Sequence, residues 1–347
     1  MTITAPEELI SIVIPAYNAA STLRETLASA SRQTHEAIEI IVVDDGSTDG
    51  VFAVAQGIAA TEPRLRIVRQ ENRGVAAARN RGIALARGAW VATLDADDLW
   101  RPDKLSRQLD SARRSNAATG FVYCWSRDID ADGRVWRDGP RPTADGRVAL
   151  RLLADNFCNS SALLLRRDAA LAVGGYNEQL RRCEDVQFQL RLARSFPAAV
   201  APAYLVGYRK REGSLSSDPE AMFSAWLAAR ALLGPPGGAA AAVDRRNLAR
   251  RRAHLAEALA RRGRIAAALR HAAASIAVDP LRGALVGADL AWRLARRRRP
   301  QERPLFDDLD ACQAAFPAPS GLPLRLLNAL EDARRRQLAH LDDIEPG

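Results

Sequence analysis

Three aspartates stand in four consecutive positions directly after an apolar segment of the chain. The segment runs from Trp90 to Leu94, and Asp95, Asp97 and Asp98 follow it. Carboxylates that crowd at the end of one strand repel one another unless a cation compensates their charge. A divalent cation with oxygen ligands would do so, and such cations commonly also hold phosphates. The spacing therefore favours a metal and phosphate site at this turn.

A helix cap is the alternative explanation of the same aspartates. Asp97 or Asp98 could be the N-cap of a helix that begins near residues 100–104, with Pro102 in its first turn. A cap uses one aspartate, whereas this turn has three. We therefore favour cation binding and regard Asp98 as the aspartate best suited to a capping role.

Alternating strands and helices position this turn. Apolar strands are predicted at residues 10–15, 38–43, 65–68 and 90–94, and helices at 19–33, 51–60 and 75–86. Such alternation is typical of a parallel sheet covered on both faces. In these sheets ligands bind beyond the carboxyl ends of the strands. Three strands end in polar clusters, at residues 15–18, 44–47 and 95–98, and we expect these clusters to converge.

The next part of the chain predicts shorter strands and one amphipathic helix. Residues 121–136 contain an Asp132-Gly133 turn that favours a hairpin at the far side of the sheet. A strand is predicted over 162–165 and another over 203–208. Glu184 and Asp185 begin the helix.

A shift in composition near Asp218 predicts a second domain. We divide the chain into 1–217 and an all-helical region at 218–347, with a Gly- and Pro-rich linker near 234–239. Residues 244–278 resemble one tetratricopeptide-type hairpin. The basic run 296–299 is either a solvated helix end or a contact with an anionic surface.

The net charge of +9 comes almost entirely from arginine, because Lys104 and Lys210 are the only lysines. This charge could favour nucleic acid, an anionic membrane or phosphorylated ligands, although an Arg- and Ala-rich proteome would produce the same bias. Nucleic-acid binding predicts basic residues interleaved with aromatics, and these occur only within 292–299. We therefore expect no nucleic-acid partner.

Targeting and redox signals are weak. No apolar run approaches the ~20 residues of a membrane helix, and residues 1–9 lack the basic and apolar segments of a secretory signal. We expect a cytoplasmic protein, with the C-terminal region as a candidate peripheral contact at the inner membrane face. The four cysteines are scattered, which argues against disulfides or a zinc site.

Five short motifs in order resemble the family 2 inverting glycosyltransferases of the GT-A fold. They occupy residues 11–18, 42–49, 72–80, 95–98 and 184–185, and the resemblance covers about residues 10–216. It implies an α/β fold with a Rossmann-like, mostly parallel sheet flanked by helices. It also implies transfer of a sugar from a nucleotide-diphosphate sugar to an acceptor hydroxyl.

The resemblance assigns residues to the donor side. Tyr17 would border the base of the nucleotide, Asp45 would accept a hydrogen bond from the base or ribose, and Asp44 would buttress the turn. Gly46 would let the backbone approach the nucleotide closely. Arg79 would support Asp45 or a phosphate. The other donor-side positions are Pro15, Asn18, Asp95, Glu184 and Arg211.

The resemblance also assigns the metal and the base. Asp97 would ligate Mn²⁺ or Mg²⁺, which suits oxygen ligands. Asp185 would remove the proton of the acceptor hydroxyl, although carboxylates at a helix start can serve the helix dipole alone. Asn159, Ser160 and Ser161 would line the acceptor side.

One departure from the family pattern concerns the end of the catalytic region. Many members carry a histidine after a Tyr-Arg pair, whereas here Tyr208 and Arg209 are followed by Lys210 and Arg211. An arginine could hold the diphosphate but could not ligate the metal. Diphosphate binding at this position therefore departs from the family pattern.

Other classes of protein remain open from the sequence. A nucleotidyltransferase would need a glycine-rich, basic loop after its first strand, which residues 15–20 lack. A catalytically inactive binder of nucleotide sugars or of an anionic surface is the main alternative, although Asp97 and Asp185 are both present. The family favours UDP donors, with dTDP next, and a glycan, lipid-linked or protein acceptor in the synthesis of cell-surface polysaccharide or glycoconjugates.

Overall fold

The computed structural model describes residues 8–115, 118–210 and 217–278. These residues divide into two compact units, 8–148 with 157–210 and 149–156 with 217–278. Our predicted division after residue 217 leaves 149–156 in the first domain, whereas here this segment groups with the second unit. The domain assignment itself stays a prediction.

The first unit is a nine-stranded sheet with helices packed against it. Its strands are β1 (Ile10–Ala16), β2 (Ile38–Asp44), β3 (Leu65–Arg69), β4 (Trp90–Thr93), β5 (Leu99–Trp100), β6 (Phe121–Ile129), β7 (Val135–Asp138), β8 (Leu163–Arg166) and β9 (Ala198–Arg209). Its helices are α1 (Ala20–Ser31), α2 (Val51–Ala59), α3 (Val75–Leu85), α4 (Lys104–Arg114), α6 (Arg167–Ala172) and α7 (Glu184–Ser195). β1 and β2 are buried along their whole length, as their apolar sequences require.

The sheet has the order β3-β2-β1-β4-β8-β6-β9-β5, with β7 paired to β6. The strands β3, β2, β1 and β4 are parallel, and so are β6 and β9. The pairs β4–β8, β6–β8, β6–β7 and β5–β9 are antiparallel. The predicted mostly parallel sheet is therefore correct for the first four strands and wrong for the rest, which form a mixed sheet.

A hydrogen bond between residues far apart in the sequence accompanies the reversal of β8. A 3-10 turn at Ser160–Ala162 precedes β8, and Thr93 Oγ1 at the end of β4 donates to the Ser160 carbonyl at 2.6 Å. The turn is thereby held at the carboxyl end of β4, and β8 runs back along that strand.

A close contact between α3 and β1 sets the position of α3. A Cβ atom on Gly82 would lie 2.2 Å from Val13 Cγ1, so only glycine allows this approach. Because α3 follows a parallel strand, its first turns lie near the carboxyl ends of the strands. Arg79, three residues before Gly82, is therefore carried toward the predicted site.

The second unit contains α5 (Ala149–Ala154), α8 (Pro219–Ala231), α9 (Gly238–Arg261) and α10 (Ile265–Val278). Leu255 and Leu259 of α9 pack on Ala267 and Ala268 of α10. Residues 232–237, at the predicted linker, separate α8 from α9. The resemblance to a tetratricopeptide hairpin stays a prediction, and the basic run 296–299 lies outside the described residues. Among the residues described, no helix is long and apolar enough to cross a membrane.

Candidate functional site

The loops after β1 and β2 contact each other at the carboxyl end of the sheet. The backbone N–H of Asn18 donates to Ser47 Oγ at 3.1 Å, and Thr48 N–H donates to Asn18 Oδ1 at 2.9 Å. Asn18 adopts a left-handed backbone conformation with φ 48°, which asparagine tolerates better than most residues. The first two polar clusters therefore converge.

Asp44 and Asp45 stabilise two different loops. The buried carboxylate of Asp44 accepts the N–H of Ser47 at 2.9 Å and so closes its own turn. The carboxylate of Asp45 accepts Gln70 Nε2 at 2.7 Å, Arg73 N–H at 2.9 Å and Gly74 N–H at 2.8 Å. Asp45 thus holds the loop between β3 and α3, and its contact with a nucleotide remains a prediction.

Gly46 is required by both conformation and space. Its φ is +77°, and a Cβ atom there would lie 2.9 Å from the backbone nitrogen of Asn72. The neighbouring Tyr17 is 53% exposed and so is free to border a ligand. Pro15, by contrast, is buried inside β1.

Asp98 anchors the aspartate turn and does not cap a helix. Its Oδ1 accepts Arg209 N–H at 2.9 Å, and its Oδ2 accepts the hydroxyl of Ser161 at 2.5 Å. The capping interpretation is wrong because α4 begins only at Lys104, with Asp103 at its N-cap. Burial, together with the charges of the other two aspartates, raises the pKa of Asp98 well above its ordinary value.

Asp95 and Asp97 stay partly exposed beside the buried Asp98. Arg209 Nε donates to the Asp97 carbonyl at 2.7 Å and so fixes the backbone of the turn. Two partly exposed carboxylates suit a hard cation such as Mn²⁺ or Mg²⁺. In the described part of the chain, no cluster of three or more acidic, histidine or cysteine residues could hold a metal alone. A cation here would need further oxygens, which phosphates and water supply.

Arg79 joins the aspartate turn to the start of α7. Its Nη2 donates to Asp95 Oδ1 and its Nη1 to Glu184 Oε1, each at 2.6 Å, and its side chain is almost fully buried. Burial lowers the pKa of Arg79, but Asp95 and Glu184 outweigh it, so the pKa lies well above its ordinary value. The described carboxylate partners of Arg79 are thus Asp95 and Glu184 and not the predicted Asp45, whereas its predicted contact with a phosphate remains a prediction.

Asp185 is a carboxylate with an unusually high pKa. Burial and the like charge of Glu184 raise its pKa to about 6, although Arg79 opposes the shift. Asp185 Oδ1 also accepts the Val186 N–H at 2.8 Å, and this first-turn contact lowers its pKa by less than burial and Glu184 raise it. A carboxylate with this pKa can exchange protons near neutral pH. The preceding Cys183 has φ 58°, which turns the chain sharply into α7.

A comparison with known protein families decides the class of this domain. Residues 11–173 match the model of Glycosyl transferase family 2. The chain contains a family 2 glycosyltransferase domain.

The alignments with curated relatives of this family 2 domain cover only part of each protein. The chain is 32% identical over 189 residues to the chondroitin synthase of Escherichia coli, covering 54% of this chain and 27% of the relative. It is 36% identical over 202 residues to the succinoglycan biosynthesis protein ExoU of Rhizobium meliloti, covering 55% of this chain and 58% of the relative. The chain thus spans less than two thirds of the length of these relatives.

Solved structures show the same fold. The mannosyltransferase PcManGT from Pyrobaculum calidifontis, in complex with GDP-Man and Mn²⁺, aligns with a TM-score of 0.59 at 21% identity, covering 84% of this chain and 82% of that one. Residues 1–349 of S. aureus TarS, in complex with UDP-GlcNAc, align with a TM-score of 0.56 at 19% identity, covering 84% and 93%. The family 2 domain therefore has the mixed α/β, GT-A-like fold.

Asn159 and Ser160, two of the predicted acceptor-side residues, have structural contacts. Asn159 Oδ1 accepts Ala162 N–H at 3.0 Å and so caps the 3-10 turn. Ser160 is buried, and its carbonyl accepts the hydroxyl of Thr93. Their contact with an acceptor remains a prediction. Arg211 lies outside the described residues.

Arg209 and Tyr176 were not predicted as site residues, and Ser161 was predicted only to line the acceptor side. Ser161 accepts the N–H of Asp95 at 3.0 Å and donates to Asp98. Arg209 holds the backbone of the aspartate turn. Tyr176 lies against Arg79, with 5.2 Å from Cζ to the ring centroid. Arg209 stands near the predicted Arg211, which is a usable signal, whereas Tyr176 follows a glycine pair that predicts only a turn.

Proposed function

We propose that this chain is a metal-dependent, inverting glycosyltransferase that moves a sugar from a nucleotide-diphosphate sugar to an acceptor hydroxyl. The observation that carries the proposal is the buried bridge of Arg79 between Asp95 and Glu184. This bridge brings the aspartate turn, on the donor side, next to Asp185. A donor site and a base are both needed for such a transfer, and here one arginine links them.

The donor would be held by the loops after β1, β2 and β4. Tyr17 would border the base and Gly46 would let the backbone approach the nucleotide. Asp97, with Asp95 beside it, would hold Mn²⁺ or Mg²⁺, which neutralises the charge of the leaving diphosphate when bound. One similar structure contains GDP-Man and Mn²⁺ and another contains UDP-GlcNAc, which supports a nucleotide sugar as donor. We favour UDP, with dTDP next.

Asp185 would act as the base. It accepts the proton of the acceptor hydroxyl while that oxygen bonds to the anomeric carbon, and the carbon–phosphate oxygen bond breaks on the opposite face. The nucleoside diphosphate leaves with the electron pair, so the configuration at the anomeric carbon inverts. Glu184 is held by Arg79 and would present its remaining oxygen to sugar hydroxyls. The raised pKa of Asp185 makes it a stronger base than an ordinary aspartate.

The acceptor would belong to a cell-surface polysaccharide or glycoconjugate. This step rests on relatives named for chondroitin and succinoglycan synthesis. A glycan, a lipid-linked glycan and a protein all offer the required hydroxyl.

A panel of nucleotide sugars tests the proposal. The protein is incubated with UDP-, dTDP- and GDP-linked sugars and Mn²⁺ or Mg²⁺, and NMR follows the released sugar. We expect slow hydrolysis of one donor, with inverted configuration in the first product, and its loss with a chelator or in Asp97→Ala. Failure to bind or cleave any donor, or unchanged metal-dependent donor binding in Asp97→Ala, contradicts the proposal. Metal-dependent binding without cleavage or transfer supports the inactive binder instead.

A further inference from the structure

Two consecutive residues of α3, Arg79 and Asn80, contact Tyr176. The side-chain amide of Asn80 accepts the Tyr176 N–H at 2.7 Å and donates to the Tyr176 carbonyl at 2.8 Å. The guanidinium of Arg79 lies over the ring of Tyr176, with 5.2 Å from Cζ to the ring centroid. The backbone and the ring of one residue are thus fixed by neighbouring positions of the same helix.

The other side of the ring is fixed as well. Tyr176 stacks on Phe188 of α7, with ring centroids 4.1 Å apart and planes inclined by 22°. The backbone at Gly175 lies close to α3, because a Cβ atom on Gly175 would lie 2.6 Å from Asn80 Oδ1. The ring therefore has little freedom between α3 and α7.

Arg79 needs such a support. Its two terminal nitrogens bind Asp95 and Glu184, but its buried Nε has no hydrogen-bond partner among the described residues. A guanidinium over an aromatic face is attracted by the ring electrons, and more strongly when both are buried. The ring of Tyr176 thus provides a second contact that orients the plane of the guanidinium.

We propose that Tyr176 is a positioning residue that, through Arg79, holds the donor-side Asp95 and the base-side Glu184 in register for transfer. The inference rests on the proposed function. It assigns the positioning of Arg79 to the aromatic ring of Tyr176 and not to its hydroxyl. The Tyr176 hydroxyl is buried and has no hydrogen-bond partner in the part of the chain that the structure describes. Removing this hydroxyl therefore breaks no described hydrogen bond.

Two substitutions separate the ring from the hydroxyl. Tyr176→Phe keeps the ring, and we expect kcat/KM for donor cleavage within about twofold of wild type, whereas Tyr176→Leu lowers it about tenfold. Tyr204→Leu is the matched control. Tyr204 also lies under arginines, 4.5 Å from Arg127 and 5.1 Å from Arg141, but on β9, three strands from β4 in the sheet order. We expect Tyr204→Leu to leave kcat/KM unchanged.

A double-mutant cycle tests whether Tyr176 acts through Arg79. Arg79→Lys keeps the charge but loses the planar group that lies on the ring. In the Arg79→Lys background, we expect Tyr176→Leu to lower kcat/KM by less than about twofold, because the contact is already lost. The same cycle is measured by urea unfolding, which needs no activity and also shows that each variant folds.

The outcomes separate this inference from the proposed function. Equal losses in Tyr176→Phe and Tyr176→Leu, additive losses in the cycle, or an equal loss in Tyr204→Leu each overturn the positioning role. If the wild type neither cleaves a donor nor transfers a sugar, the proposed function fails. Urea unfolding then tests whether the Tyr176 ring and the Arg79 guanidinium are coupled in the folded protein. Additive shifts of the unfolding midpoint in Tyr176→Leu and Arg79→Lys overturn this coupling, and non-additive shifts support it.

Discussion

Arg79 donates to Glu184 at 2.6 Å although the two residues are 105 positions apart in the sequence. The bond joins the third helix of the sheet region to the first turn of α7. The other terminal nitrogen of Arg79 binds Asp95. Arg79 therefore connects the aspartate turn, our proposed donor side, to the helix that carries Asp185, our proposed base.

The pH dependence of activity follows from the pKa of Asp185. A base must be deprotonated to act, and burial and Glu184 raise the pKa of Asp185 to about 6. We expect kcat/KM for donor cleavage to be constant above this pH and to fall about tenfold for each pH unit below it. A profile measured in constant ionic strength tests this. A fall that begins only near pH 4, the range of an ordinary aspartate, contradicts it.

The same pKa predicts an effect on stability. The pKa of Asp185 is higher in the folded than in the unfolded state, so its ionisation destabilises the fold as pH rises from about 4 to about 6. Asp185→Asn should therefore raise the midpoint of thermal unfolding at about pH 7 and leave it nearly unchanged at about pH 4. Asp110→Asn, on the exposed side of α4, is the control. A lower midpoint at neutral pH in Asp185→Asn would count against a destabilised carboxylate.

Ser161 should be important for the stability of the aspartate turn. Its hydroxyl donates to the buried Asp98 and accepts Asp95 N–H. Ser161→Ala leaves both partners without this group, and we expect the free energy of unfolding to fall by about 1–3 kcal/mol. Ser106→Ala removes a less buried hydroxyl of α4 and serves as the control. Urea unfolding measures both, and equal effects would argue against a special role of Ser161.

Glycine at position 46 should be indispensable. Gly46→Ala places a Cβ atom 2.9 Å from the backbone of Asn72 in a left-handed conformation, and we expect a loss of about 1–2 kcal/mol of stability together with weaker donor binding. In Gly57→Ala the new Cβ atom meets nothing within 4 Å and lies inside α2. That variant should be neutral or slightly stabilised. Calorimetry measures donor binding and urea unfolding measures stability for the two variants. Normal donor affinity in Gly46→Ala would refute a close approach of the Gly46 backbone to the nucleotide.

Much of the first half of the sheet could be predicted from the sequence. Its strands are short apolar runs that end in Pro15, Asp44 and Asp95 or their neighbours, and both burial and turn chemistry are local properties. The direction of β8 could not be predicted, because an apolar strand reads alike in parallel and antiparallel pairs. Its direction depends on the bond between Thr93 and Ser160, which lie 67 positions apart.

Contacts of the candidate site could be predicted from the sequence where a side chain bonds to the backbone of its own turn. Asp44 closes its turn within three residues, so its buttressing contact was accessible from sequence. The partners of Asp98 are Ser161 and Arg209, which lie 63 and 111 positions away. No local pattern distinguishes such a buried acceptor from a helix cap. Tyr176 was missed for the same reason, since its contact with Arg79 exists only in the folded chain.

The comparison of Asp97→Ala with Asp185→Asn tests the division of labour in the site most directly. For each variant, calorimetry measures binding of the accepted nucleotide sugar with Mn²⁺, and NMR measures its cleavage. We expect Asp97→Ala to lose both binding and cleavage, and Asp185→Asn to keep donor affinity while cleavage falls by at least about a hundredfold. Full cleavage in Asp185→Asn, or unchanged metal-dependent binding in Asp97→Ala, would contradict the roles assigned to these two aspartates.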